Sequence, residues 1–205
     1  MKLVSDNFFL SMKNKIEKYL QEKFQQDGFI PLPVNSIANE LNISKKTLYK
    51  EYRSKQELVD TTLTNMLIEA YNSVIKIVAE KSPFVVKFYS IFDIVKKNLR
   101  AFDDESLFKL KKAYPDIWLK VARFRKYNLL PLLRLLITSG IKKGVLNNYP
   151  IELYLKLIYG AIKETTRRDN KILASELDLL LKMLLNGALT KKGRKFLNHR
   201  IGYFD

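Results

Sequence analysis

Between Pro33 and Arg53 the chain has room for two short helices and almost nothing to connect them. Val34, Ile37, Ala38 and Leu41 recur at i, i+3, i+4 and i+7, which makes one buried stripe over two turns. The break at Asn42 is brief, because Ile43 must return to the core and Ser44 can cap a new helix at once. That helix runs from Lys45 to about Glu51 and buries Leu48 and Tyr52. The turn needs a left-handed residue at 42, where Asn is the most tolerant choice after Gly. Ala38 is small, as it must be if the two helices cross closely there. This spacing describes a helix-turn-helix, whose second helix has the size and shape to enter a DNA major groove.

The surrounding sequence supports the unit. A first helix is expected from Asp6 to Gln26, with Met12, Ile16, Tyr19, Leu20 and Phe24 on one face and a stop at Asp27-Gly28. Ser54-Lys55-Gln56-Glu57 reads as a capping box opening a further helix. It leaves Lys55 among free amides at a positive dipole end, a ready phosphate site. In the third helix, Ile43, Leu48 and Tyr52 face inward, so the remaining side chains point outward. Lys45, Lys46 and Thr47 are assigned to base edges: lysine donates to guanine O6 and N7, and the threonine methyl meets a thymine methyl.

Only 7 glycines and 6 prolines occur in 205 residues, and apolar side chains recur at helical spacing throughout, so the chain reads as all-α. Cysteine is absent and the single histidine, His199, has no companion ligand, which argues against disulfides, zinc sites and His-dependent catalytic triads. No acid/base pair has positional support for an enzyme, and no metal or cofactor is expected. Arg134 interrupts the apolar run 127–141 and Lys182 the run 177–189, so neither reaches a membrane span of about 18 residues. The N-terminus does not read as a secretory signal, and a cytoplasmic protein without a membrane partner is expected. The net charge of +16 suggests an anionic partner, yet residues 1–58 carry only 10 Lys/Arg against 7 Asp/Glu and the remainder 27 against 14. Bulk charge therefore does not single out the helix-turn-helix.

The run Gly28-Phe29, followed by Ile37 through Leu58, resembles the DNA-binding signature of the TetR family of bacterial transcriptional regulators. The resemblance covers about 50 residues. It implies a homodimer of all-helical chains: an N-terminal three-helix DNA-binding domain (1–53), then a larger helical effector-binding and dimerisation domain (54–205). Matching positions make Ser44, Tyr49, Lys50 and Lys55 phosphate contacts. Two residues depart from the family pattern. Pro33 stands where Thr or Ser usually opens the second helix, and Asn35 where an Arg is usual. The function implied is a ligand-responsive repressor binding a palindromic double-stranded DNA operator and an unknown small-molecule effector. The alternative is an architectural DNA-binding protein of the same fold that senses no effector.

Beyond residue 59 the reading is mostly physical. Ser82-Pro83, Tyr114-Pro115 and Tyr149-Pro150 mark helix starts, Gly140 and Gly144 the end of a long segment, and Pro131 a kink or a division. A helix near 150–168 carries Leu153, Leu157, Gly160 and Ala161 on one side, and Gly160 there suggests close approach of another helix. The segment 175–189 is apolar around most of its circumference, with Leu177, Leu180, Leu181, Leu184, Leu185 and Ala188 assigned with the preceding face to a four-helix dimer interface. Lys191–Lys195 is read as the cationic end of that last helix. Aromatics crowd the middle helices, and Phe88, Phe92, Trp118 and Tyr127 are assigned to an effector pocket.

Overall fold

A computed structural model describes residues 2–167 and 174–198, and side chains within 12–164 and 176–195. His199 and the side chain of Ser175 lie outside the described residues. The described residues form helices and no strand beyond an isolated Leu146–Leu189 bridge. The fold is all-α, and the chain divides into two compact units.

The first unit holds the residues up to Ala70 together with Lys97–Phe124. It contains α1 (Lys2–Asp27), α2 (Val34–Glu40), α3 (Lys45–Glu51), the first part of α4 (Lys55–Ala79), a 3-10 turn (Arg100–Phe102), α6 (Asp104–Ala113) and α7 (Pro115–Phe124). Ile16, Leu20 and Phe24 of α1 are buried with Ile37, Leu48, Leu58 and Leu63, as the helical spacing requires. α1 stops at Gly28, whose φ of +76° favours glycine, with its amide donating to Phe24 O at 3.1 Å. Phe29 then packs its ring against Phe24 and Tyr114, and its amide donates to Ser106 Oγ. Asp103 caps α6 by accepting from Ser106 N at 2.7 Å. These contacts attach α6 and α7 to the N-terminal helices. Ser106 lies 77 positions beyond Phe29 in sequence.

The second unit holds Tyr71–Lys96 and the residues from Arg125 onward. It contains the rest of α4, most of α5 (Phe84–Asn98), a π-turn (Arg125–Leu129), α8 (Leu130–Lys142), α9 (Ile151–Arg167), α10 (Ala174–Ala188) and α11 (Lys191–Asn198). Pro83 and Pro150 precede α5 and α9 as expected, and Pro131 sits in the first turn of α8, dividing two helical segments. Gly140 lies in the last turn of α8, where its carbonyl accepts from Val145 N at 2.9 Å and a Cβ would come within 2.7 Å of the Phe84 ring. Gly144, at φ +66°, is the residue that ends α8. Among the described residues, a Cβ on Gly160 would meet no neighbour within 4 Å. The basic segment is also different from expectation, because Thr190 Oγ1 accepts from Gly193 N and Thr190 O from Arg194 N, starting α11. Lys191 and Lys192 thus lie at a helix beginning, not at the end of α10.

Candidate nucleic-acid interface

The turn between α2 and α3 closes by two backbone bonds. Asn42 N donates to Asn39 O at 3.0 Å and Ile43 N to Ala38 O at 2.9 Å, the pairing of a Schellman motif. Asn42 has φ +53°, the left-handed conformation that motif needs. The chain leaves it extended, and Ser44 accepts from Thr47 N at 3.0 Å to cap α3. Ser44 Oγ also lies 2.8 Å from Thr47 Oγ1.

α3 is anchored by Leu48, fully buried, and by Tyr52 at its C-terminal end. Tyr52 O–H donates to Glu17 Oε1 at 2.8 Å, and the other carboxylate oxygen of Glu17 accepts from Asn65 Nδ2 at 2.7 Å. One carboxylate therefore ties α3 to α1 and α4. Burial, reinforced by the bond to Glu17, pushes the Tyr52 phenol well above its ordinary range. Lys13 Nζ lies 5.6 Å from the centre of the same ring. Glu17 and Asn65 were not singled out from sequence. Glu17 follows the buried Ile16, and that position was the one available signal.

With Leu48 and Tyr52 turned inward, the opposite side of α3 presents Lys45, Lys46, Tyr49 and Lys50, all exposed, while Thr47 is half-buried. No acidic residue occupies the first turn of α3, so its positive end adds to the two lysines there. α4 starts nearby in sequence with Ser54 Oγ accepting from Glu57 N at 3.1 Å, while Glu57 Oε2 accepts from Arg53 N at 2.7 Å, one residue beyond the usual reciprocal bond. Lys55 is half-buried at this helix start, and burial lowers its pKa. An anion placed there would offset that cost. Pro33 occupies the N-cap of α2 and offers no side-chain cap bond, and Asn35 beside it is exposed.

The residues assigned to an effector pocket belong to both units. Phe88 and Phe92 are buried and stack on one another at 6.5 Å in the second unit, where Tyr127 is 66% exposed with Lys126 over its ring. Trp118 belongs to the first unit, with Lys111 Nζ 4.7 Å from its ring centre. The assigned interface residues separate into two sets. Leu177, Leu181 and Leu185 are taken up by the core of their own chain, which removes them from any face offered to a partner. Leu153 and Leu157 are exposed, as is Gly160, while Ala161, Leu180, Leu184 and Ala188 are half-buried. Leu179 and Met183, apolar residues of the same helix that the sequence reading left outside the assigned interface, are about 60% exposed on α10. The all-round apolarity of α10 hid which of its sides the chain uses itself.

Among the described residues no group of His, Cys, Asp and Glu is placed to hold a metal ion, and no helix is long and apolar enough to cross a membrane.

Residues 22–62 match the family described as bacterial regulatory proteins, tetR family. No curated protein matches the sequence. Solved structures share the fold at low identity. A TetR-family transcriptional regulator from Agrobacterium tumefaciens is 14% identical, with a TM-score of 0.69 over 89% of this chain and 100% of its own. A transcriptional regulator from Saccharomonospora viridis in complex with choline is 12% identical, with a TM-score of 0.67 over 88% and 99%. The ketosteroid transcriptional regulator of Mycobacterium tuberculosis is 16% identical, with a TM-score of 0.63 over 88% and 96%.

Proposed function

We propose that this chain, whose N-terminal helices are the DNA-binding domain of the tetR family of bacterial regulatory proteins, is a cytoplasmic, ligand-responsive repressor that reads a palindromic operator as a homodimer. The observation that carries the reading is the two-sidedness of α3. Leu48 and Tyr52 lock one side to the domain, and Lys45, Lys46, Tyr49 and Lys50 form an exposed cationic face on the other. Lys45, Lys46 and Thr47 read base edges, whereas Ser44, Tyr49, Lys50 and Lys55 hold phosphates and set register. Residues 1–53, joined by Lys55 just beyond them, supply the DNA contacts, and the remainder supplies effector binding and dimerisation.

Two recognition helices about 34–36 Å apart meet successive major grooves on one side of the duplex. The exposed side chains Leu153, Leu157, Leu179 and Met183 on α9 and α10, with open space at Gly160, support pairing with a second copy. The effector acts by binding one of two conformations more tightly than the other, and operator affinity falls by that difference. The buried Phe88 and Phe92 support an apolar lining for its site.

Selection of bound duplexes from a random pool at physiological salt tests the reading, repeated with Lys46→Ala and Thr47→Ala. A recovered palindrome whose contacted bases relax in the variants is expected. Recovery of no motif, with binding abolished by modest salt, would replace the repressor with a DNA-coating protein.

A further inference from the structure

In the second unit, the segment between α4 and α5, the end of α8 and the start of α11 line a cleft of about 420 Å³ that opens to solvent. Pro83, Phe84, Val85 and Val145 supply its apolar lining, and the exposed Lys142, Lys143 and Lys192 line it as well. Ser82 completes the lining. Its Oγ is the one buried side-chain polar atom among the described residues that has no hydrogen-bond partner.

Like charges gathered on one cleft repel, and the local structure does little to offset this. None of the three lysines forms an ion pair among the described residues. Lys142 and Lys143 suit the negative end of α8, but Lys192 lies in the first turn of α11, where a cation is unfavourable and no acidic residue accompanies it. Lys192 is nonetheless held, its Nζ donating to Lys143 O at 2.9 Å. α5 begins at the cleft wall with no acidic residue in its first turn. Its first closing bond runs from Lys87 N to Pro83 O, leaving the amides of Phe84 and Val85 without a helical acceptor.

We propose that this cleft is a binding site for a small anion with an apolar body, an aryl or alkyl phosphate or carboxylate. The anionic head meets the lysines, the Ser82 hydroxyl and the start of α5, while the body lies against Phe84 and Val145. The volume fits a small-molecule site, with apolar side chains beside the lysines. The site is independent of the regulatory reading, since none of its residues belongs to α3 or to the pair Phe88 and Phe92.

Titration calorimetry of the full chain with phenyl phosphate, inorganic phosphate and phenol tests the proposal. Saturable binding of phenyl phosphate is expected, tighter than that of either half. Lys142→Gln and Lys192→Gln each weaken it about tenfold, the value of one charge-assisted hydrogen bond. Ser82→Ala weakens it less, and Lys76→Gln, on the exposed side of α4, leaves it unchanged. Because Lys192 also fastens α11, Lys142→Gln is the variant that reads the anion alone. Absence of saturable binding, equal affinity for phenyl phosphate and inorganic phosphate, or indifference to both lysine variants would each overturn the proposal.

Discussion

The amide of Phe29 donates to Ser106 Oγ at 2.9 Å, and Ser106 Oγ in turn donates to Arg100 O at 2.6 Å. Gly28 makes the approach possible, since a Cβ on it would lie 2.5 Å from the same Ser106 oxygen. Ser106→Ala leaves a buried N–H unpaired and is expected to cost about 1–3 kcal/mol in urea unfolding. Gly28→Ala meets both the left-handed φ and the clash, and is expected to cost at least as much. The double variant should lose less than the two losses added, because removing Oγ relieves the clash.

Asn42 tests the turn separately from the recognition surface. Asn42→Gly is expected to change stability little, and Asn42→Ala to lower it by about 1 kcal/mol, since alanine lacks asparagine's tolerance of φ near +53°. Chemical denaturation of both variants checks this. An alanine variant as stable as the parent would mean that the turn relaxes to another conformation.

On selected operator DNA, Lys46→Ala is expected to relax preference at one base pair by about 1–3 kcal/mol. Lys50→Ala should weaken all sequences alike and reduce the salt slope by about one. Asn35→Arg adds a cation at the exposed start of α2 and should steepen that slope. Binding isotherms at several salt concentrations separate the three outcomes.

Oligomeric state separates exposed from buried leucines. Leu157→Glu and Met183→Glu are expected to give folded monomers in sedimentation, because both side chains are exposed in the single chain. Leu185→Glu instead places a carboxylate in the core and should unfold the second unit, as circular dichroism would report. A dimeric Leu157→Glu variant would move the interface elsewhere.

Tyr52 supplies a pH dependence. Burial and the bond to Glu17 hold its proton, so its folded pKa lies above the ordinary value of 10.0. That stabilisation is complete below the unfolded pKa and is lost as pH rises beyond it toward the folded pKa. Tyr52→Phe should be about 1 kcal/mol less stable at neutral pH. The gap should narrow above pH 10.0, where only the parent has this ionisation to lose. Urea midpoints on both sides of that pH decide it.

By itself the sequence determined the all-helical class, the helix-turn-helix and the inward set of Ile37, Leu48 and Tyr52. Those features depend on local quantities: helical period, a left-handed residue at 42 and caps at Ser44 and Ser54. The tertiary structure decided what depends on distant segments meeting. Ser106 reached Phe29 across 77 positions of sequence and joined α6 to the N-terminal helices. Glu17 became the link between Tyr52 and Asn65. α10 turned Leu177, Leu181 and Leu185 into its own core and left Leu179 and Met183 outside, a choice that an almost uniformly apolar helix cannot encode in its period. Lys142 and Lys143 at the end of α8 and Lys192 of α11, 49 residues beyond Lys143, came to line one cleft. Spacing along a helix reports which residues share a side; only packing decides what that side faces.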